Sequence, residues 1–179
     1  MQTIDCITSR RSIRKFTEEP VSHEDLEKII AAAAYSPSWK NTQIVRYIAI
    51  EDPALKNKIA TECTTGFTYN GGTMANAPML IAVTVIKNRC GYERDGSFTT
   101  NRKDTWQMFD AGIASQTFCL AAHEYGLGTV IMGIFDDTLS DVLEIPEDRE
   151  LVNIICIGHP AESPEAPKRK SVEDLISYK

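Results

Sequence analysis

The sequence has no C-x-x-C pair and no H-x-x-x-H pair, so the usual ligand spacings of a zinc or iron–sulfur centre are missing. Its five cysteines, Cys6, Cys63, Cys90, Cys119 and Cys156, are odd in number and scattered, which excludes a disulfide framework as well. The three histidines, His23, His123 and His159, show no ligand spacing, and no metal is expected. No apolar run approaches about eighteen residues, so no membrane span is expected. The first residues, Met1-Gln2-Thr3-Ile4-Asp5, lack the basic-then-apolar order of a secretory signal, and the cytoplasm is the expected compartment. A formal net charge of -6 argues against nonspecific nucleic-acid binding, which needs a positive surface to displace counterions from phosphates. There is no G-x-x-x-x-G-K-[ST] loop for a nucleoside triphosphate and no G-x-S-x-G elbow for a hydrolase. Gly126-Leu-Gly128 is not a dinucleotide fingerprint, because it follows a helical pattern, precedes a strand, and has Ile131 where the third glycine belongs.

What is present is an ordinary globular composition, 42% hydrophobic and 25% charged over 179 residues, which fits one domain spanning 1–179 with a real core. Against the acidic whole, Arg10-Arg11-Ser12-Ile13-Arg14-Lys15-Phe16 places four cations and a hydroxyl within seven residues. Guanidinium forks match phosphate oxygens and stay charged at physiological pH. Ile13 and Phe16, interleaved among the cations, indicate a packed turn and not a solvated arm. A second basic cluster, Lys168-Arg169-Lys170, lies near the other end of the chain. Because the termini of a domain often lie close together, both clusters can grip a single phosphate.

Between them, residues 2–9 read as a short helix. Ser22 with Asp25 three residues on starts an amphipathic helix over 23–35, in which Leu26, Ile29, Ile30 and Ala33 recur at helical spacing. Residues 36–43 are a polar loop leading into a strand over 45–50, and a helix spans 53–63 before a Gly- and Thr-rich stretch through Gly72. Met79–Ile86 is nearly continuous in apolar and β-branched residues, as for a central strand covered on both faces. A long polar excursion over 87–103 follows, with Cys90 as the exposed, oxidisable candidate among the thiols. The longest helix runs over 105–125, apolar or small nearly all round, and is expected at the centre of the fold or of a subunit interface. Gly126 caps it. Strands over 129–132 and 151–158, a short helix from Asp136 through Leu143 and a final capped turn from Ser171 complete an α+β or α/β layered fold whose strand order stays open.

Several of these stretches together resemble the FMN-dependent nitroreductases. They are R-R-S-I-R-K-F at 10–16, S-P-S-W-K-N-T-Q at 36–43, A-P and a strand at 77–86, F-D-A-G-I-A-S-Q from Phe109, G-L-G-T-V-I-M-G at 126–133, and I-G-H-P-A-E followed by K-R-K, all in family order. The resemblance implies an α+β, three-layer α/β/α sandwich with a mostly antiparallel central sheet, assembled as an interlocked homodimer with two FMN sites at the subunit interface. It implies ping-pong reduction of small electrophiles, nitroaromatics or quinones, with NAD(P)H. By position, Arg10 and Ser12, with Arg11, correspond to residues holding the FMN phosphate and ribityl chain, and Arg14 to the cation beside N1 and O2 of the flavin. Pro37, Ser38 and Asn41 would reach the ring from the other subunit, and Asn70 matches a further flavin contact, although Gly71-Gly72-Thr73 lacks a nearby Lys. Met132 and Gly133 would offer backbone N–H groups near N5 and O4. Arg169 with Lys168 would close the phosphate clamp, with Pro167 standing where a second Lys is usual. No side chain is then required as a nucleophile, so no catalytic residue is assigned. Tyr92, Phe98 and Trp106 are lid candidates and Trp39 a wall. A flavin-binding sensor without turnover, a basic-patch interaction protein without cofactor, and a specialised reaction such as flavin fragmentation or dehalogenation stay open.

Overall fold

A computed structural model of the chain describes residues 2–179. In chain order its elements are α1 (Thr3–Ser9), α2 (His23–Ala33), a 3-10 turn (Trp39–Asn41), β1 (Val45–Ile50), α3 (Pro53–Glu62), α4 (Thr68–Asn76), β2 (Met79–Ile86), α5 (Thr105–Glu124), β3 (Gly128–Met132), α6 (Thr138–Val142), β4 (Arg149–Gly158) and α7 (Val172–Leu175). The continuous apolar run of β2 makes it a central strand, since apolar residues on both alternating faces are useful only where both faces are covered. It pairs antiparallel with β1 on one side and β4 on the other, β3 pairs antiparallel with β4, and the sheet order is β1-β2-β4-β3. One irregularity, between Val83 and Thr84 of β2, faces the extra residue Val152 of β4.

The alternation of side chains divides the core into two layers. Met79, Ile81, Val83, Ile155 and Ile157 pack with Leu26 and Ile29 of α2 and Phe118 and Ala122 of α5. Leu80, Ala82, Ile154, Cys156, Val130 and Met132 pack with Ile59 of α3, Met74 of α4 and Leu139 of α6. The result is an α+β sandwich with helices on both faces of an antiparallel sheet, as the sequence resemblance implies.

Local signals act where they are expected. The Ser22 hydroxyl accepts the N–H of Asp25 at 3.0 Å and starts α2. At the end of α5, Gly126 adopts φ +77, its N–H donates to His123, and the N–H of Leu127 donates back to Ala122, a glycine-terminated cap that turns the chain straight into β3. One stretch departs from the reading. Residues 68–76, with paired glycines and four threonines or asparagines, form α4 where the sequence pattern assigns no element. Gly71 packs against the Ala60 backbone of α3, so the glycine is an adaptation to close helix contact. The buried Lys56 of α3 braces the end of α4 by donating from Nζ to the carbonyls of Ala77 and Pro78, each at 2.8 Å, while burial holds its pKa below that of an ordinary lysine.

The long helix α5 is not buried all round. Phe109 is 58% exposed, and Met108, Gly112 and Gln116 share its open face. Among the described residues, no helix is long and apolar enough to cross a membrane, and no cluster of His, Cys, Asp or Glu has the makings of a metal site.

Candidate functional site

Strand β3 lies at the edge of the sheet, and the arginine segment runs along its outer side. Ser12 bridges Thr129 in parallel, and the Ile13 N–H donates to the Thr129 carbonyl at 3.0 Å. Ile13 is buried against Gly128, where an added Cβ would stand only 2.8–2.9 Å from its Cβ, Cγ1 and Cγ2. Beyond β4 the chain returns on the other side of the same segment. Phe16 bridges Pro160, the Thr17 N–H donates to His159 at 2.9 Å, and the Ala161 N–H donates to Lys15 at 2.9 Å. One carboxylate oxygen of Glu162 accepts the N–H groups of Arg14 and Lys15, at 2.6 and 3.2 Å. The apolar residues spaced among the cations are therefore anchors, and the arginines project from a backbone held on both sides.

The two basic clusters meet. A cavity of about 350 Å³ is lined by Arg10, Arg11, Ser12 and Arg14 from the start of the chain and by Pro164, Glu165, Pro167 and Arg169 from its end. Lys168 does not line it. The buried Nε atoms of Arg10 and Arg11 have no hydrogen-bond partner. Arg11 turns back, its Nη1 donating to the carbonyls of Thr8 at 2.7 Å and Arg10 at 2.8 Å, so much of its donor capacity caps the end of α1. Among the described residues no carboxylate forms an ion pair with Arg10, Arg11, Arg14 or Arg169. Four guanidiniums facing one carboxylate, Glu165, with unsatisfied buried donors, make a pocket suited to a dianion such as a phosphate monoester.

A second groove of about 450 Å³ continues from Ser12 and Arg14 to Thr68, Tyr69, Gly72, Thr73 and Asn76 of α4. Asn70, on the same helix, is only 7% exposed, and no hydrogen bond engages its side chain among the described residues. At the far end of β3, strand alternation turns the backbone groups of Met132 toward Ile154 of β4 and those of Ile131 toward the free edge. The Met132 N–H is thus committed to the sheet, which alternation along the strand could have signalled. Gly133 has open space where a Cβ would stand.

Pro37, Ser38 and Asn41 lie elsewhere. Their loop packs on α5 and β1, beside a separate cavity of about 340 Å³ lined by Pro37, Ser38, Gln43, Tyr47 and Asp110 among others, and within one chain they do not meet the arginines. The aromatic candidates stay with them. Trp39 and Trp106 pack at 4.7 Å between ring centres, Tyr92 and Phe98 at 4.8 Å, and Lys40 pairs with Glu93 at 2.9 Å. Residues 87–103 are thereby tied to the 36–43 loop and do not cover the arginine cavity of their own chain. Cys90 is buried, not exposed: its Sγ donates to Asp110 at 3.1 Å.

His123, near the end of α5, contacts the Ser9 hydroxyl at 2.8 Å and lines a further pocket that also includes Arg10 and Arg11. Burial, then the positive field of Arg10 and Arg11, holds its pKa below the ordinary 6.5, with Glu124 opposing. The unfolded chain therefore takes this proton first as the pH falls. The stability contribution is complete above about 6.5 and is lost on descent toward the lowered folded value. Thermal unfolding followed from neutral pH to pH 5 should show a falling midpoint, with a shallower slope in His123→Gln. An identical slope would remove His123 as its source.

Fold and cleft together define an α+β sandwich in which both ends of the chain line one arginine-rich cavity beside an edge strand. A sequence profile of the Nitroreductase family matches residues 7–159. The chain is 30% identical to an FMN reductase [NAD(P)H] of Bacillus subtilis (strain 168) over 187 aligned positions, covering 99% of this chain and 73% of that one. The solved NADPH:FMN oxidoreductase of Vibrio harveyi, complexed with NAD+, superposes with a TM-score of 0.82 at 25% identity, covering 98% of this chain and 76% of that chain. A nitroreductase family protein from Clostridium novyi NT superposes with a TM-score of 0.78 at 28% identity over 93% and 89% of the two chains. The chain belongs to the nitroreductase family of oxidoreductases.

Proposed function

We propose that this protein is an FMN-dependent oxidoreductase that reduces small electrophiles, nitroaromatics or quinones, with NAD(P)H in a ping-pong sequence, as a cytoplasmic homodimer. The observation that carries the reading is the cavity between Arg10, Ser12, Arg14 and Arg169, whose unpaired guanidiniums fit the phosphate of FMN. When bound, FMN supplies the redox chemistry, accepting a hydride from the nicotinamide and passing the electrons to the acceptor.

The residues of the chain then have separate tasks. Arg10 and Arg169, from opposite ends of the sequence, would neutralise the phosphate. Ser12 adds a short neutral donor, and Arg11 chiefly fixes the end of α1, with Lys168 contributing long-range charge. Arg14, anchored through its own backbone by Glu162, holds a cation at the junction of the phosphate cavity and the α4 groove. There it would stabilise negative charge on the pyrimidine side of a bound, reduced flavin. Asn70, only 7% exposed, offers from α4 an amide that no hydrogen bond engages among the described residues, and Gly133 leaves room for a ring to approach the edge of β3.

Pro37, Ser38 and Asn41 lie away from this cleft in their own chain, so their role requires a second copy to bring them in. The open apolar face of α5, with Met108, Phe109 and Ile113, and the exposed Val172, Leu175 and Ile176 of the C-terminal tail supply surfaces for that pairing. The test is the absorption spectrum of protein purified with its cofactor. Anaerobic NADH or NADPH should bleach the flavin bands quickly, and a nitroaromatic or quinone should restore them. A yellow protein that the nicotinamides leave unchanged would contradict enzymatic turnover, and a colourless protein that does not take up FMN would contradict the cofactor.

A further inference from the structure

Asp110 stands out on α5 as a carboxylate only 3% exposed on a helix whose other buried positions are mostly small or apolar. No Lys, Arg or His forms an ion pair with it among the described residues. A buried charge without a counterion is costly, and an apolar side chain of similar size would fill the place at no such cost. What offsets the cost is a set of donors from two other segments. The Trp39 N–H donates to both carboxylate oxygens, at 3.0 and 3.2 Å, and the Cys90 thiol donates to Oδ2 at 3.1 Å. Burial, together with the adjacent carboxylate, pushes the Cys90 pKa up to about 12, so the thiol remains a protonated donor at physiological pH.

The segment held in this way is an unusual one. Lys40, Asn41 and Gln43 have φ values of 45, 55 and 49, three left-handed non-glycine residues within four. Such a backbone persists only where its surroundings over-determine it. Here the surroundings are Asp110 beneath Trp39, the Ser38 hydroxyl accepting the Gln43 N–H at 3.1 Å, Trp106 against Trp39, and Glu93 paired with Lys40. Asp110 joins α5, the 36–43 loop and the start of the 87–103 excursion at one point.

We propose that Asp110 is a positioning residue, whose carboxylate locks the 36–43 loop in the shape that presents Pro37, Ser38 and Asn41 to the FMN held by a second copy of the chain. The proposal rests on the dimeric FMN reading above, and its consequences fall on cofactor affinity and on the local order of one loop.

The test compares wild type, Asp110→Asn, Cys90→Ala and Cys90→Ser, reading the FMN Kd from flavin fluorescence and local opening from amide hydrogen exchange. Asp110→Asn should raise the FMN Kd at least about tenfold and speed exchange at residues 39–43, while residues 10–16 exchange as in wild type. Cys90→Ala should raise the Kd about threefold or more, whereas Cys90→Ser, which keeps a donor, should stay within about twofold of wild type. An Asp110→Asn protein with wild-type FMN affinity, or with exchange accelerated uniformly along the chain, would overturn the proposal. If Asp110→Asn does not fold, the cysteine pair decides alone, and equal affinities for Ala and Ser would overturn it. Wild-type protein that binds no FMN would refute the cofactor reading instead, and exchange at 39–43 would still report whether Asp110 locks the loop.

Discussion

Replacing Arg10 or Arg169 by alanine should release FMN, each substitution raising its Kd roughly 10- to 150-fold. This corresponds to about 1.5–3 kcal/mol for a charge-assisted hydrogen bond. The two residues reach the same cavity from opposite ends of the sequence, and neither is paired with a carboxylate that could release it from that task. Arg10 also has a buried Nε with no partner, so its donors are available to a ligand. Arg14→Ala should behave differently. Its side chain also lines the groove toward α4, and its loss should slow flavin reduction by nicotinamide more than it weakens FMN retention. Fluorescence titration for affinity and anaerobic stopped-flow for reduction separate the two effects. Equal effects of all three substitutions on retention would contradict the division of roles.

The second large effect is expected at Gly128. An alanine there would place its Cβ 2.8–2.9 Å from three atoms of Ile13, all at the stem of that side chain, where no rotamer change relieves the clash. The arginine segment must move off β3, carrying Arg10, Ser12 and Arg14 with it. Overpacking of this kind costs typically about 1–3 kcal/mol, which for a chain of this size lowers the unfolding midpoint by roughly 2–12 °C. Because the displaced segment carries the guanidiniums, Gly128→Ala should also weaken FMN by at least about tenfold, as charge-assisted bonds lose their geometry. Calorimetry and titration on the same preparation check both. A lower midpoint with unchanged FMN affinity would mean that the packing of Ile13 on Gly128 does not aim the arginines.

Gly128 also marks the limit of what the sequence makes legible. The apolar run of β2, the Ser22 cap of α2 and the glycine cap of α5 are local patterns, and each forms the element that its pattern predicts. The convergence of Arg10 to Arg14 with Arg169 was also foreseeable, from two basic clusters in an acidic chain. Features decided by tertiary contact were not legible. Helix α4 contains two adjacent glycines that hide it in the sequence, where the stretch reads only as Gly- and Thr-rich, until α3 is seen packed against Gly71. Cys90 sits in a polar stretch yet is buried, because Asp110, Trp106, Ile44 and Ala111 close over it while the residues just before it, 87–89, stay exposed. Strand order leaves no trace in the periodicity of any one strand, and the separation of Pro37, Ser38 and Asn41 from the arginines appears only once β1 and β3 are known to lie at opposite edges of the sheet. Asp110 did carry a signal, as the one acid in α5 before its last residue, Glu124, among neighbours rich in alanine and apolar residues.

The most direct measurement is a paired titration of the apoprotein with FMN and with riboflavin, which has the same ring system and no phosphate. Anchoring of the phosphate between the two ends of the chain predicts that FMN binds at least about 100-fold more tightly, a difference of about 2.7 kcal/mol, and that Arg10→Ala and Arg169→Ala narrow the gap. Riboflavin binding as tightly as FMN, with neither substitution changing the ratio, would contradict the account.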